Sequence, residues 1–141
     1  MLRSIGYVST AAKNFSEEEI PKILSSAINW NTPHNITGIL CYNDGNFLQF
    51  IEGEDADIAE VFNIIYNDKR HYDIMKIFDE SIQQRVFPDW RMALRRLDQL
   101  PQDLRASCRN LMSLGLPKSA EPVDHRADIE ALLYAFKLSL R

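Results

Sequence analysis

The chain has 141 residues, with sixteen Lys and Arg against twenty Asp and Glu and a formal net charge of −4. That length fits one domain burying roughly two-thirds of its unfolded surface, and the acidic balance argues against a nucleic-acid binder, whose footprint is a basic face. Cys41 and Cys108, without a CxxC or a His at ligand spacing, build no disulfide framework and suggest no metal site. Met1-Leu2-Arg3-Ser4 runs straight into a strand pattern without a signal-peptide core, and no apolar run approaches the roughly 20 residues that span a bilayer. A soluble, cytoplasmic protein is expected.

In chain order, Leu2 to Ser9 reads as a strand with Ile5, Tyr7 and Ser9 on one face and Ser4, Gly6 and Val8 on the other. Ser16-Glu17-Glu18-Glu19 has the form of a capping box, followed at helical spacing by Ile20, Ile23, Leu24, Ala27, Ile28 and Asn31. Pro21 conflicts with a helix capped at Ser16, so the helix either starts a few residues later or is kinked at its start. Thr37–Tyr42 and Phe47–Ile51 form a hairpin around Asn43-Asp44-Gly45-Asn46, because Asp-Gly supplies the positive φ values of a tight turn. Gly53-Glu54-Asp55 opens a second helix with Ile58, Val61, Phe62, Ile64 and Ile65 as its apolar stripe.

Two more strands follow, near Ile74–Phe78 with an extension to Ile82 left open, and near Arg91–Leu97. The order β-α-β-β-α-β-β predicts an α+β, ferredoxin-like sandwich. Leu100-Pro101 starts a helix ending near Met112, and a last helix runs from about Val123 to Leu140. These two extra C-terminal helices are too few for a domain of their own, so residues 99–141 are expected to extend the 1–98 unit and pack on its open sheet face. Arg85, Arg91, Arg95, Arg96, Arg105 and Arg109 form a basic strip, read as a solvated face or, less simply, as a docking patch for an acidic partner.

Gln49 is the most informative residue. It lies inside Phe47-Leu48-Gln49-Phe50-Ile51, where both strand faces are apolar, so its amide is expected to be buried. A buried amide without partners costs about 1–3 kcal/mol. Either nearby backbone or a bound polar ring must satisfy it. Elsewhere, no GxSxG, P-loop or HExxH is present, and His34, His71 and His125 pair with no nucleophile. An acylphosphatase-like hydrolase would need a Gly- and Arg-bearing loop after the first strand, and Thr10-Ala11-Ala12-Lys13-Asn14-Phe15 has neither. The reading is therefore of a protein without catalytic residues.

Four strings together resemble one family: Ile5–Ser9 (IGYVS), Asn35–Gly53 (NITGILCYNDGNFLQFIEG), Asp68–His71 (DKRH) and Phe87–Met92 (FPDWRM). In this order and spacing they are similar to a BLUF domain, a flavin-binding sensor of blue light, over about residues 1–98. The resemblance implies a flavin, FAD or alternatively FMN, with its ring between the first two helices. It implies Tyr7 as photochemical donor and Gln49 as the switch amide, with Trp90 and Met92 on the last strand as readout. Asn31 would bond the pyrimidine edge, Ile23 and Ile65 would sandwich the ring, and Asp68, Arg70 and His71 would lie near the ribityl-phosphate end.

Two positions depart from the pattern. Trp30 stands where many members carry a polar residue that contacts the flavin, and Ala27 replaces a frequent Ser, so one or two ring-edge hydrogen bonds are expected to be missing. The resemblance further implies a photosensory regulator that signals through protein contact, as a homo-oligomer with a downstream partner. The rivals are a flavin-free α+β interaction module and a small enzyme.

Overall fold

The computed structural model describes residues 1–87, 91–112 and 129–134. Its elements are β1 (Leu2–Ala11), a 3₁₀ turn (Glu17–Glu19), α1 (Ile20–Asn31), β2 (Thr37–Asn43), β3 (Asn46–Glu54), α2 (Asp55–Tyr66), β4 (His71–Ile82), β5 (Ala93–Arg96), a second 3₁₀ turn (Leu97–Gln99) and α3 (Gln102–Met112). Residues 129–134 are also helical. The strands form one five-stranded sheet in the order β4-β1-β3-β2-β5, with β5 parallel to β2 and the other neighbours antiparallel. This is the expected α+β, ferredoxin-like arrangement with an added strand and C-terminal helices.

Local chemistry explains the boundaries. The hairpin turn has Asp44 at φ 49° and Gly45 at φ 82°, the positive-φ pair that its Asp-Gly sequence favours. Of the two alternatives left open by Pro21, the structure takes the first. Ser16 accepts the Glu18 N–H at 3.2 Å to cap the 3₁₀ turn, and α1 starts only at Ile20, which leaves Pro21 in the first turn where no N–H is missed. β4 is longer than the core of its apolar pattern, because nearly its whole length pairs with β1 from Leu2↔Ile82 to Ala11↔His71.

Strand alternation sends apolar residues to two separate cores. On one face Ile5, Leu40, Tyr42, Phe47, Ile51 and Met92 meet Ile20 of α1 and Ile58 and Val61 of α2. On the other, Val8, Ile39, Cys41, Leu48 and Phe50 meet Leu104, Cys108 and Leu111 of α3 and Ile129, Leu132 and Leu133. Phe50 is fully buried and crosses Gly6, where a Cβ would sit 2.4 Å from the ring. Cys41 and Cys108 are both buried, free thiols in the second core.

Three guanidiniums of the basic strip have protein partners. Arg85 donates to Thr37 Oγ1 (2.9 Å), the Glu52 carbonyl (2.9 Å) and the Asn35 carbonyl (2.7 Å). Arg91 donates to Asn35 Oδ1 at 2.5 Å, and Arg96 pairs with Glu17 at 3.1 Å. These guanidiniums staple β5 and the segment before it to the sheet, to the turn before β2 and to the 3₁₀ turn before α1. No helix among the described residues is long and apolar enough to cross a membrane, and among them no group of three or more His, Cys, Asp and Glu could hold a metal.

Candidate functional site

A cavity of about 250 Å³ opens between α1 and α2 over the first face of the sheet. Tyr7 from β1, Gln49 from β3, Ile23, Trp30 and Asn31 from α1, and Ile65, Asp68, Arg70 and His71 from the end of α2 onward all line it. Nine of the positions singled out in the sequence therefore have a place that can be described. Eight of them (Tyr7, Ile23, Asn31, Gln49, Ile65, Asp68, Arg70 and His71) line this cavity, while Met92 stands behind Gln49. Trp90 lies outside the described residues.

Tyr7 and Gln49 are direct cross-strand partners, so their side chains rise from the same face a short distance apart. The Tyr7 hydroxyl donates to Gln49 Oε1. The other end of the amide, Nε2, donates to Met92 Sδ at 3.4 Å. Both residues are buried, and burial, aided by the Asp68 charge, pushes the Tyr7 hydroxyl well above the usual phenol range. Tyr7 thus keeps its proton at any ordinary pH and holds it toward an amide oxygen.

Asn31, at the last turn of α1, donates through Nδ2 to the Arg91 carbonyl at 2.7 Å. A residue on the cavity wall is thereby bonded to the backbone just before Met92. At the opposite end, the Asp68 carboxylate accepts Arg70 Nε at 3.0 Å and Nη2 at 2.6 Å as well as the Arg70 backbone N–H at 3.0 Å. Burial works to raise the Asp68 carboxyl, but these bonds outweigh it and hold the group below the usual carboxylate range.

His71 lines the cavity together with Asp68 and Arg70. Its Nε2 faces the Ile65 carbonyl at 2.7 Å and its Nδ1 faces Ser9 Oγ at 2.8 Å. A carbonyl only accepts, so Nε2 carries a proton and donates to it. Both nitrogens are committed to protein, and the ring stands edge-on to Tyr7 and Phe47 as a wall.

Three further features stand out, of which Trp30 is singled out in the sequence and Ser26 and Glu52 are not. The indole of Trp30 lines the cavity with a buried Nε1 that has no protein partner. Ser26, beside Ala27, also lines it. Glu52, nearly fully buried on the opposite sheet face, accepts the backbone N–H groups of Val86 (2.9 Å) and Phe87 (2.8 Å) and anchors the segment leading to β5. The signal for Glu52 was available: it continues the period-2 row Leu48, Phe50, and a carboxylate in an apolar row must be hydrogen-bonded.

The cavity fits a flat polyaromatic ring. Its volume falls just under the roughly 300–1,000 Å³ of whole-ligand pockets, with isoleucines from two helices and the Gln49 amide among its lining. The BLUF family, described as sensors of blue-light using FAD, matches residues 2–93, and the chain belongs to it.

A photoactivated adenylate cyclase subunit alpha from Euglena gracilis is 35% identical over 86 residues, covering 61% of this chain and 8% of that protein. The solved dark-state structure of BlrB, a BLUF protein, superposes with a TM-score of 0.78 at 31% identity, over 98% of this chain and 96% of that one. BlrP1 of Klebsiella pneumoniae, solved with FMN and cyclic diGMP, gives a TM-score of 0.70 at 25% identity, over 98% of this chain and 35% of that one. The chain spans only 8% to 12% of the length of the first curated relatives it matches.

Proposed function

We propose that this chain is a cytoplasmic photosensory regulator without catalytic activity of its own, binding FAD through residues 1–98 and switching through Tyr7, Gln49 and Met92. The observation that carries the reading is the chain of contacts from the Tyr7 hydroxyl through both ends of the Gln49 amide to Met92, set in the wall of a ring-sized cavity. Ile23 and Ile65 would hold the ring faces, Asn31 the pyrimidine edge, and the Asp68–Arg70 pair the side where the phosphate-bearing tail leaves. FAD rather than FMN is favoured by the family's own description. When bound, the flavin supplies absorption of blue light and an oxidant strong enough to take an electron from a nearby phenol.

The residues then define the switch. Tyr7 holds its proton on Oη toward Gln49 Oε1, ready to move when the phenol loses an electron. The amide is asymmetric, and only its nitrogen can donate to a thioether. A Gln49 that turns over presents oxygen to Met92 and gives up the 3.4 Å contact, whereas one that tautomerises in place keeps nitrogen there with one proton fewer. A net hydrogen bond of about 1 kcal/mol changes a two-state population roughly fivefold. That suffices to bias β5, and Asn31 bonded at Arg91 supplies a second tie from the cavity to the same backbone.

From β5 the signal would pass to residues 99–141, the helical extension, and then to a second copy of the chain or a partner protein. Tyr134, 65% exposed beside the buried Ile129, Leu132 and Leu133, supports an outward contact there. No nucleic acid or membrane is part of the reading. The test is the purified chain itself: a yellow protein whose blue absorption band moves reversibly to the red under blue light is expected, and a colourless protein that takes up no added flavin overturns the proposal.

A further inference from the structure

The Asn31 amide lines the cavity from the last turn of α1, and an amide there can lie either way round, nitrogen or oxygen toward a ligand. Protein sets its direction. Nδ2 donates to the Arg91 carbonyl at 2.7 Å, and because a carbonyl only accepts, Oδ1 is the end left for whatever fills the cavity. We propose that Arg91 is a positioning residue of the flavin site: its guanidinium, clamped on Asn35, holds its own carbonyl where it keeps the Asn31 amide turned this way. The inference rests on flavin occupying the cavity, and it concerns a residue that does not line it.

The backbone of Arg91 needs such a clamp. β5 begins at Ala93 and its first pair with β2 is Ile39↔Ala93, so no ladder pairing with β2 fixes residue 91. The side chain supplies the hold, Nη1 donating to Asn35 Oδ1 at 2.5 Å. Asn35 is itself fixed. It sits at φ 53°, and its carbonyl accepts Arg85 Nη2 at 2.7 Å. The next N–H, that of Ile36, donates to the Asn31 carbonyl at 2.9 Å. The bonds close a ring, from the Asn31 side chain to the Arg91 carbonyl, from the Arg91 guanidinium to Asn35, and from Ile36 back to Asn31. Members of one network are coupled, so losing one bond loosens the others.

The clamp has a chemical consequence. The pyrimidine edge of a flavin presents one N–H flanked by two carbonyls, and an acceptor at Asn31 suits the N–H. A reversed amide would set a donor against that N–H and leave the Arg91 carbonyl facing an oxygen. Arg91 also immediately precedes Met92, so the hold on the cofactor edge and the lead into β5 share one stretch of backbone.

Substitutions in the full chain test this, read by FAD titration of apoprotein and by the NMR resonance of the ring N–H in bound flavin. Arg91→Ala is expected to raise the dissociation constant for FAD roughly 2- to 12-fold, the worth of one net hydrogen bond. It should also move the ring N–H upfield as its acceptor loosens. Arg91→Lys keeps one donor in reach of Asn35 and should restore both values. Asn35→Gly tolerates the left-handed backbone and keeps the carbonyl for Arg85, so it should reproduce Arg91→Ala. In an Asn31→Ala background, Arg91→Ala should change FAD affinity no further, whereas a merely structural role would add its full cost there. Arg91→Ala with wild-type affinity and an unmoved ring resonance overturns the inference and leaves the flavin reading standing. So does a full additional loss in the Asn31→Ala background. A wild-type chain that takes up no FAD overturns both.

Discussion

The amide nitrogen of Gln49 lies 3.4 Å from the sulfur of Met92, while the oxygen of the same amide accepts the hydroxyl of Tyr7. One side chain therefore joins the inner, neighbouring strands β1 and β3 to the residue that leads into the edge strand β5. The contact to sulfur is the weak link, and weak links are where a switch of about 1 kcal/mol has effect.

Met92 should accordingly separate sensing from transmission. Met92→Ala is expected to keep the yellow colour and the light-induced red shift, because Tyr7 and Gln49 remain. The light-minus-dark infrared bands of the sheet backbone should shrink strongly. Full-size backbone bands in the variant would show that β5 is moved by another contact.

Asn31 serves two partners, and its loss should register in both. Asn31→Ala is expected to weaken FAD binding by about 1–3 kcal/mol if a buried ring group is left unpaired. It should also destabilise apoprotein by roughly 0.5–1.5 kcal/mol through the lost bond to the Arg91 carbonyl. Titration of apoprotein and denaturant melts measure the two separately. Unchanged affinity would remove Asn31 from the ring edge.

Glu52 holds the backbone before β5 from the opposite face. Glu52→Ala leaves the Val86 and Phe87 N–H groups without their acceptor, at an expected cost of about 2–4 kcal/mol in chemical denaturation. Burial pushes the Glu52 carboxyl up, against the opposing pull of those N–H groups and Arg85. A carboxyl raised on folding binds its proton more tightly in the native state. Its contribution is thus fullest below the unfolded value and declines as pH rises through the folded one. Glu52→Gln should lose this dependence.

Asp79 works with the opposite sign. The Arg3 guanidinium donates to both carboxylate oxygens, at 2.7 and 2.8 Å, tying β1 to β4, and with help from Lys76 holds the carboxyl down at about 2 against the cost of burial. The stability it gives is complete above pH ~4, the ordinary Asp range, and is lost as pH falls through the folded value of about 2. With side chains 24% and 30% exposed, solvent screening reduces the benefit to about 1 kcal/mol. Asp79→Asn should cost that much at pH 7 and nothing at the acid end; an equal cost at both would contradict the ion-pair account.

Much of the site was legible because strand alternation is strict. Tyr7 and Gln49 fall on the face that carries Ile5, Phe47 and Ile51, and the Asp44-Gly45 turn fixes the register of β2 on β3, with the β1–β3 pairing then setting Tyr7 opposite Gln49. What the sequence could not give was the partner of each polar group. The two nitrogens of His71 meet Ser9 and Ile65, contacts that depend on where β4 begins. Arg85 and Arg91 read as surface charge, but the turn around Asn35, itself at φ 53°, presents oxygens to both. Ile64 continued the apolar stripe of α2 but is 48% exposed, at the rim of the cavity.

The central claim is that a phenol and an amide on neighbouring strands form the switch, and light-minus-dark absorption of three proteins tests it most directly. Wild type is expected to show a reversible red shift of the flavin band. Tyr7→Phe and Gln49→Leu are each expected to remain yellow, since Ile23, Asn31 and Ile65 still line the cavity, and to show no shift. A wild-type red shift in either variant would contradict the account.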